Sequence, residues 1–306
     1  MASQTEWVAV DWGTSNVRAW GIGADGSHTF AAGSDKGMGR IARADFPTVL
    51  DGLIGKETGG QNLDVIICGM AGARQGWLEA PYLDTPANLN ALVGAAVRPE
   101  GADVRFRPRI LPGVCQRQAG HEDVMRGEET QLLGLLRLKV GFEGVAIHPG
   151  THSKWVEIRD ERIVRFSTAM TGELFELLSE HSVLRHAMAG ERTGPATEDG
   201  IAEGMSAGLE HPERLTSLAF RTRAAGLLSG KSADWCAGYL SGLLVGAEIG
   251  GHRDWLGGEE EVPLIGSARL CRLYGAALKK IGIQSFAIDT ADATIAGLKA
   301  ARAQAA

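Results

Sequence analysis

Cysteine is scarce in this chain. The 306 residues include four cysteines, and none of them forms a C-x-x-C pair. Two of the four lie in apolar segments, where a reduced thiol packs as a small hydrophobic side chain. We therefore expect a reducing, cytoplasmic setting for Cys68, Cys115, Cys236 and Cys271.

The sequence also lacks a basic excess and a long apolar run. With 31 Lys and Arg against 37 Asp and Glu, the formal net charge is −6. A nucleic acid or an anionic membrane surface usually requires a basic excess, so we expect neither as a partner. No apolar run approaches the roughly 18 residues of a membrane span. The opening residues MASQTEW carry no basic or apolar leader, so export is not expected either.

Glycine, in contrast, is abundant. There are 42 glycines, about twice the usual share of roughly 7%. They are gathered in short clusters at predicted strand ends, where glycine allows sharp turns and close approach of the backbone to a ligand.

The first half of the chain predicts three short strands, one helix and two further strands. Its strands are WVAVDWG, NVRAWGIG, HTFAAG, LDVIICGMAG and VRFRPRILPG. The helix follows Asp45 as N-cap, with Pro47 in its first turn. Proline, glycine and polar residues cluster from Gly113 to Gly120, so we predict a first domain over residues 1–118 and a second over 119–306.

The second half repeats this order. Its strands are GVAIHPG, HSKWVEIRD, ERIVRFSTAM, VPLIGS and SFAI. We expect a long helical region from about Glu173 to Gly250, with Thr171 as its N-cap, and an amphipathic helix that ends at Gly282 in a left-handed cap. A final Ala-rich helix closes the chain, and the sequence leaves open whether it packs on the first domain.

One hairpin motif occurs in both halves. GTSNVRAW from Gly13 aligns with GTHSKWVE from Gly150, each a Gly-Thr turn followed by a hydroxyl and a basic residue. Backbone N–H groups in tight glycine turns point at anions, and hydroxyl groups add further donors. If the two domains pack with pseudo-symmetry, the two hairpins would hold the phosphates of a nucleotide from both sides. We predict phosphate contacts from Gly13, Thr14, Ser15, Gly150, Thr151 and Lys154. The alternative for Lys154 is a solvated strand residue.

Asp11 immediately precedes the first hairpin. A carboxylate repels phosphate, but it can hold a hydrated Mg²⁺ that bridges phosphate oxygens. Asp11 is therefore the predicted metal ligand. A single Asp-x-Gly-Thr turn is more often an ordinary strand end capped by aspartate. The second copy of the hairpin favours the nucleotide interpretation.

Longer motifs are similar to those of a known family. The hairpins resemble the two phosphate motifs of the sugar kinase, heat-shock ATPase and actin superfamily. Most of the chain, in order, resembles the 2-dehydro-3-deoxygalactonokinase family through GMAGARQGWLEAPY, DVMRGEETQLLG, HPGTHSKWVEI and MTGELFELLSEHSVL. The resemblance implies an α/β fold of two ribonuclease-H-like domains with mixed five-stranded sheets. It also implies ATP and Mg²⁺ as cofactors, and phosphorylation of 2-dehydro-3-deoxygalactonate at its 6-hydroxyl in galactonate catabolism.

The loop after the strand ending at Met70 is where sugar kinases of this fold usually contact their substrate. The resemblance therefore implies substrate contacts from Arg74, Gln75 and Trp77. A 2-keto acid needs a cation for its carboxylate, which Arg74 or Arg18 could supply. Two alternatives stay open: each arginine is an unpartnered surface residue, and Trp77 is a core aromatic.

Three acids, Asp123, Glu128 and Glu129, lie at or before the start of a leucine-rich helix. Related sugar kinases place their catalytic aspartate in such a position, where a carboxylate accepts the proton of the attacking hydroxyl. The corresponding aspartate falls on Gly127 here, so the general base stays open among the three acids. Glutamates in a first helical turn also stabilise the helix dipole without any catalysis.

Gly266 and Ser267 form a strand-to-helix turn that resembles the adenosine motif of the superfamily, although a plain helix cap is the alternative. Together these features predict an ATP-dependent sugar-acid kinase. The second hypothesis is a nucleotide-gated binding or regulatory ATPase of the same fold. A kinase for the gluconate-derived epimer and a homodimer also stay open.

Overall fold

The computed structural model describes residues 4–189 and 196–304. The chain forms two compact units. The first contains Met1–Glu143, Glu157–Phe166 and Thr290–Ala306, and the second contains Gly144–Val156 and Ser167–Asp289. The last helix thus belongs to the first unit. The predicted division into functional domains at 118/119 stays a prediction.

Within the described residues, runs of strands are followed by helices in both halves of the chain. The strands are β1 Thr5–Trp12, β2 Val17–Gly23, β3 His28–Ser34, β4 Leu63–Gly69, β5 Tyr82–Asp84, β6 Ala87–Asn88, β7 Phe106–Ile110, β8 Gly113–Gln116, β9 Asp123–Met125, β10 Gly144–His148, β11 Ser153–Arg159, β12 Arg162–Ala169, β13 Glu261–Ile265 and β14 Gln284–Ile288. The α-helices are α1 Phe46–Ile54, α2 Glu128–Leu138, α3 Thr171–Glu180, α4 Ala196–Glu210, α5 Leu215–Ser229, α6 Ala233–Gly251, α7 Ala268–Lys280 and α8 Thr290–Gln304.

The first unit is built on a mixed sheet of five strands in the order β3-β2-β1-β4-β7. β1 pairs antiparallel with β2 and parallel with β4, so β1 is central and fully flanked. Its residues Val8, Ala9 and Val10 are completely buried, as expected for a strand covered on both faces. This geometry brings the carboxyl ends of β1 and β4, at Trp12 and Gly69, side by side.

An aromatic cluster fills the core of the first unit at that same end of the sheet. The ring of Trp12 lies 4.7 Å from that of Phe46, which stacks on Trp77 at 6.1 Å. Asp45 takes the N-cap position of α1 and Pro47 lies in the first turn, as the sequence predicts. The Asp45 carboxylate makes no cap hydrogen bond to α1, however, and accepts instead from the Ala42 amide. Such a packed cluster stiffens the strand ends that carry polar residues.

A second sheet has the order β14-β13-β10-β11-β12-β6. Five of its strands repeat the order of the first sheet when they are taken from β12 to β14. The series β12-β11-β10-β13-β14 then corresponds to β3-β2-β1-β4-β7. β6 adds a short sixth strand beside β12. The predicted α/β fold with mixed sheets is confirmed, and so is the repeat of strand order.

The predicted long helical region is broken into separate helices. α4 and α6 pack exceptionally closely because glycines line their contact. A side chain at Gly204 or Gly242 would lie within 2.2 Å of a carbonyl oxygen of the other helix. α7 ends where predicted, with Gly282 at φ 85°. None of the helices in the described ranges combines the length and apolar character that crossing a membrane requires.

The sequence did not predict a small sheet of three strands, β5-β8-β9. β5 and β9 have only three residues each, which is too short for a periodic pattern. This small sheet belongs to the first unit and leads directly into α2.

Candidate functional site

The first hairpin joins β1 to β2 through a tight turn, as predicted. The Gly13 amide donates to the Asn16 carbonyl at 2.8 Å. The carbonyls of Gly13 and Thr14 accept hydrogen bonds from the backbone amides of Met38 and Gly39. The Gly13 amide is used within the turn. The exposed Thr14 and Ser15, with their hydroxyl and N–H groups, are therefore the part of the turn that can face an anion.

Asp11 lies at the base of this hairpin. Its Oδ2 atom accepts a hydrogen bond from Arg18 Nη2 at 2.7 Å, and its side chain is 16% exposed. A cavity of about 800 Å³ is lined by Asp11, Arg18, Gly13, Thr14 and Ser15. Five of the residues predicted from the sequence are therefore brought together, with the Arg18 cation paired to the Asp11 carboxylate.

Two glycines bring the end of β4 and the start of α2 close to Asp11. Gly69 has φ 87°, and a side chain there would lie 2.6 Å from the Trp12 carbonyl and 3.5 Å from Asp11 Oδ1. Gly127 has φ 114°, and a side chain there would lie 3.4 Å from the Gly69 Cα. Only glycine adopts these conformations without strain. Gly69 therefore lies against the carboxyl end of β1, and Gly127 lies against Gly69.

The three candidate bases differ in their surroundings. Glu128 is half-buried, and its Oε2 atom accepts from the Arg126 amide at 3.1 Å. Glu129 is completely buried, and its two oxygens accept from the Gly127 amide at 2.9 and 2.7 Å. Burial, followed by the Glu128 charge, raises the pKa of Glu129 to about 8. Asp123 lies on β9, where Oδ1 accepts from the Val124 amide at 2.7 Å.

The predicted substrate loop follows β4. Arg74 and Gln75 are exposed, and Arg43 ties the loop down by donating to the Gly76 carbonyl at 2.8 Å and to the Arg74 carbonyl. Trp77 is buried in the aromatic core, where its indole N–H donates to the Glu100 carbonyl at 3.1 Å. This position fits the alternative that Trp77 is a core aromatic, while Arg74 and Gln75 are open to a ligand.

The second hairpin joins β10 to β11. Gly172 packs directly against it, because a side chain there would lie 2.5 Å from the Gly150 carbonyl. The Glu173 amide donates to the Thr151 carbonyl at 3.0 Å, so the first turn of α3 lies on the hairpin. Lys154 is only 4% exposed, at the start of β11. Burial and the Lys154 charge lower the pKa of His148, the last residue of β10, to about 3.

A cavity of about 290 Å³ opens beside this hairpin within the second unit. Its walls are largely apolar, with a few polar groups, as is typical of small-molecule sites. Its lining includes Gly150, Thr151, Gly172, Arg269, Leu270 and Tyr274. Ser267 caps α7 by accepting from the Leu270 amide at 3.4 Å, and a side chain at Gly266 would lie 3.1 Å from the Pro149 carbonyl. Neither residue is among those that line the cavity.

Glu248 of α6 holds the floor of this cavity together. Its carboxylate accepts hydrogen bonds from Trp155 Nε1 at 2.8 Å, from the Tyr274 hydroxyl at 2.5 Å and from the Thr171 hydroxyl. Thr171 was expected to cap α3, but Met170 takes the N-cap position. Sequence reasoning missed Glu248 because a lone glutamate in an apolar helix carries no local signal of its distant partners.

The donors around Asp11 fit a magnesium ion of the kind found in kinases. Mg²⁺ takes one or two carboxylates and completes its shell with water and substrate phosphates. The residues that the structure describes contain no cluster of three or more His, Cys, Asp or Glu that could hold a metal alone. A single carboxylate beside a turn that is predicted to bind phosphate is compatible with an ion that arrives with a nucleotide.

The comparisons with known proteins agree with one another. A family model described as 2-keto-3-deoxy-galactonokinase matches residues 11–301. The chain is 44% identical over 301 residues to a probable 2-dehydro-3-deoxygalactonokinase of Rhizobium meliloti (strain 1021), covering 98% of both chains. It is 31% identical over 294 residues to the 2-dehydro-3-deoxygalactonokinase of Escherichia coli (strain K12), covering 96% of both.

The comparison with a solved structure shows that the fold is shared as well. The crystal structure of a protein from Sinorhizobium meliloti, assigned as 2-dehydro-3-deoxygalactonokinase, superposes with a TM-score of 0.91 at 44% identity. The match covers 96% of this chain and 97% of that one. Family model, full-length relatives and fold therefore lead to one assignment: the chain belongs to the 2-keto-3-deoxy-galactonokinase family.

Proposed function

We propose that the protein is an ATP-dependent kinase that phosphorylates 2-dehydro-3-deoxygalactonate, the activity after which its family and its full-length relatives are named. The roles that we propose for individual residues rest on one observation: Asp11, Gly69 and Gly127 come together at one edge of the first sheet. There a phosphate-type hairpin meets the acidic start of α2. Phosphoryl transfer needs positioning and charge stabilisation more than covalent chemistry from the protein.

The nucleotide end is assigned to the second unit. We propose that the adenosine enters the cavity of about 290 Å³, against the face of α7 that carries Arg269 and Leu270. Gly266 and Ser267 immediately precede this helix and are proposed to support it. Phosphate oxygens are assigned to Gly150, Thr151 and Lys154 of the second hairpin and to Gly13, Thr14 and Ser15 of the first.

The acceptor end is assigned to the first unit, where Arg74 and Gln75 are the proposed sugar-acid contacts; Trp77 is buried in the aromatic core and Arg18 is paired with Asp11. Both Arg74 and Gln75 are exposed. We propose Glu128 as the base that accepts the proton of the 6-hydroxyl, because it is half-exposed at the start of α2 whereas Glu129 is fully buried. Asp123 is the alternative base, on β9.

Asp11 is the proposed ligand of Mg²⁺. When bound, the ion would neutralise phosphate charge that develops in the transition state. Arg18 would then serve to orient the Asp11 carboxylate, to which it already donates at 2.7 Å. A cytoplasmic location and a homodimer remain part of the proposal, the first because all four cysteines are free and buried.

The test is a coupled assay of ADP release with purified protein. We expect release to depend on 2-dehydro-3-deoxygalactonate and the product to be its 6-phosphate. The C4 epimer derived from gluconate is measured in parallel, and a higher kcat/KM for that epimer would reassign the substrate. Basal ATP hydrolysis without stimulation by either sugar acid would instead favour the nucleotide-gated regulatory protein.

A further inference from the structure

Arg126, between β9 and α2, is a cation without an anionic partner among the described residues. Its Nη2 atom donates to the Ala80 carbonyl at 2.8 Å, and its guanidinium lies 4.2 Å from the centre of the Tyr82 ring. Its Nε and Nη1 atoms are buried and have no hydrogen-bond acceptor in the part of the chain that the structure describes. Among the three nitrogens of this permanent cation, only Nη2 therefore has an acceptor within the described chain, and that acceptor is a neutral carbonyl.

This arrangement is costly unless a ligand completes it. A buried charged group without a hydrogen-bonded partner loses its hydration with nothing in exchange. Stacking on Tyr82 offsets only part of that loss. Glu129 is close enough for its pKa to respond to the Arg126 charge, but its two oxygens already accept from the Gly127 amide. An unsatisfied buried group in a native protein calls for an explanation, and a functional role is one of the usual ones.

The position of Arg126 relates it to the acceptor end of the reaction. It immediately precedes Gly127 and Glu128, and its own amide donates to Glu128 Oε2 at 3.1 Å. On its other side, a side chain at Gly72 would lie 2.8 Å from Nη1. Gly72 belongs to the loop after β4 that carries Arg74. Arg126 therefore joins the substrate loop to the start of α2.

We propose that Arg126 binds the carboxylate of the sugar acid and so determines that the enzyme accepts acids rather than neutral sugars. The inference rests on the proposed kinase function. A carboxylate supplies the acceptor oxygens that Nε and Nη1 lack, and a guanidinium offers planar N–H donors that match it. Arg74, which is exposed, gives a weaker interaction with the same group because water screens it.

The experiment compares wild-type protein with Arg126→Gln, Arg126→Lys and the control Arg107→Gln. Arg107 is 59% exposed and pairs with Asp64 on the surface of the first unit. Each protein is assayed for KM and kcat with 2-dehydro-3-deoxygalactonate, with its methyl ester and with ATP. Thermal unfolding of each variant shows whether the fold is kept.

Loss of a buried charge partner predicts that Arg126→Gln raises the KM for the sugar acid by at least about 30-fold, while the KM for ATP changes less than about twofold. Arg126→Lys should recover part of the loss. The wild-type enzyme should prefer the acid over the ester, and Arg126→Gln should lose that preference. Arg107→Gln should behave as wild type.

A folded Arg126→Gln variant that turns over the sugar acid with unchanged KM would overturn the proposal, and so would equal shifts in both KM values. If Arg126→Gln does not fold, the comparison of acid and ester in the wild type decides. Equal kcat/KM for the acid and its methyl ester would then overturn the proposal. Absence of turnover by the wild-type enzyme with any sugar acid would instead refute the proposed function, so the two failures are distinguishable.

Discussion

The Tyr274 hydroxyl of α7 donates a hydrogen bond to the Glu248 carboxylate of α6 at 2.5 Å, in a fully buried site. The same hydroxyl lies 2.8 Å from Ser153 Oγ on the second hairpin. Burial raises the pKa of Glu248, and the hydrogen bonds from Thr171, Tyr274 and Trp155 oppose that rise. One carboxylate thus connects the phosphate hairpin, α3 and α7.

Replacing Glu248 by Gln should weaken ATP binding more than sugar-acid binding. The amide keeps a single acceptor oxygen, so at least one buried donor loses its partner, at a cost of about 1–3 kcal/mol in unfolding free energy. The KM for ATP should rise because Thr171 and Tyr274 line the cavity that we propose for the nucleotide. Urea unfolding and steady-state kinetics measure both effects. Tyr274→Phe, which removes one donor, should show a smaller change of the same kind, and equal increases in the two KM values would contradict the prediction.

Exchanging the three acids one at a time should identify the general base. Glu128→Gln should lower kcat by about 10²–10⁴-fold, the usual contribution of a positioned base. Glu129→Gln and Asp123→Asn should have much smaller effects on kcat, because both oxygens of Glu129 already accept from the Gly127 amide and Asp123 lies on a separate strand. Single-turnover rates at saturating substrate provide the measurement. A large loss confined to Asp123→Asn would move the base to β9.

The stability of the protein should fall as pH rises because of Glu129. Its pKa in the folded state is raised to about 8 from an ordinary value of 4.5. The folded state therefore keeps a proton that the unfolded chain releases, and stability is lost as pH rises from about 4.5 through about 8. Glu129→Gln has no proton to lose. Its unfolding free energy should decline less than that of the wild type across this range, and parallel pH profiles would show that Glu129 does not titrate as stated.

Asp11→Asn should abolish most turnover while leaving the fold intact. Loss of the metal-organising charge should cost about 3 kcal/mol or more in the transition state, equivalent to about 100-fold or more in kcat. Asp35→Asn is the matched control, because Asp35 has a 77% exposed side chain paired with Arg40. Rates are measured over a Mg²⁺ titration. Near-normal kcat at ordinary Mg²⁺ would show that another group binds the metal.

Gly297→Ala should destabilise the protein and disturb α2. A side chain at Gly297 of α8 would lie 1.9 Å from the Thr130 carbonyl, next to the acids that open α2. Overpacking of this kind costs about 1–3 kcal/mol, and kcat should fall with the displacement of Glu128. Gly52→Ala in α1 is the control. No atom lies within 4 Å of the position that its side chain would occupy, so it should stabilise the protein by about 0.5–1 kcal/mol. Calorimetry distinguishes the two.

Local patterns determined much of the fold. The first three strands with their turn residues, the amphipathic face of α1 and the left-handed Gly282 were predictable because turn chemistry, hydrophobic periodicity and short-range sterics decide them. The repeat of strand order was also visible, since two Gly-Thr hairpins occupy equivalent places. β5, β6 and β9 were not predictable, because strands of two or three residues depend on their neighbours for stability.

By itself the sequence determined the class of the protein, its two hairpins and the set of acids and arginines from which a site could be made. Only the tertiary structure decided their environments: Trp77 in the core, Glu129 fully buried, Arg18 paired to Asp11 and Arg126 short of acceptors. The reason is physical. Residue type sets what a side chain can donate or accept, whereas burial and distant partners set whether it is charged, satisfied and within reach, and those depend on packing between segments far apart in the chain.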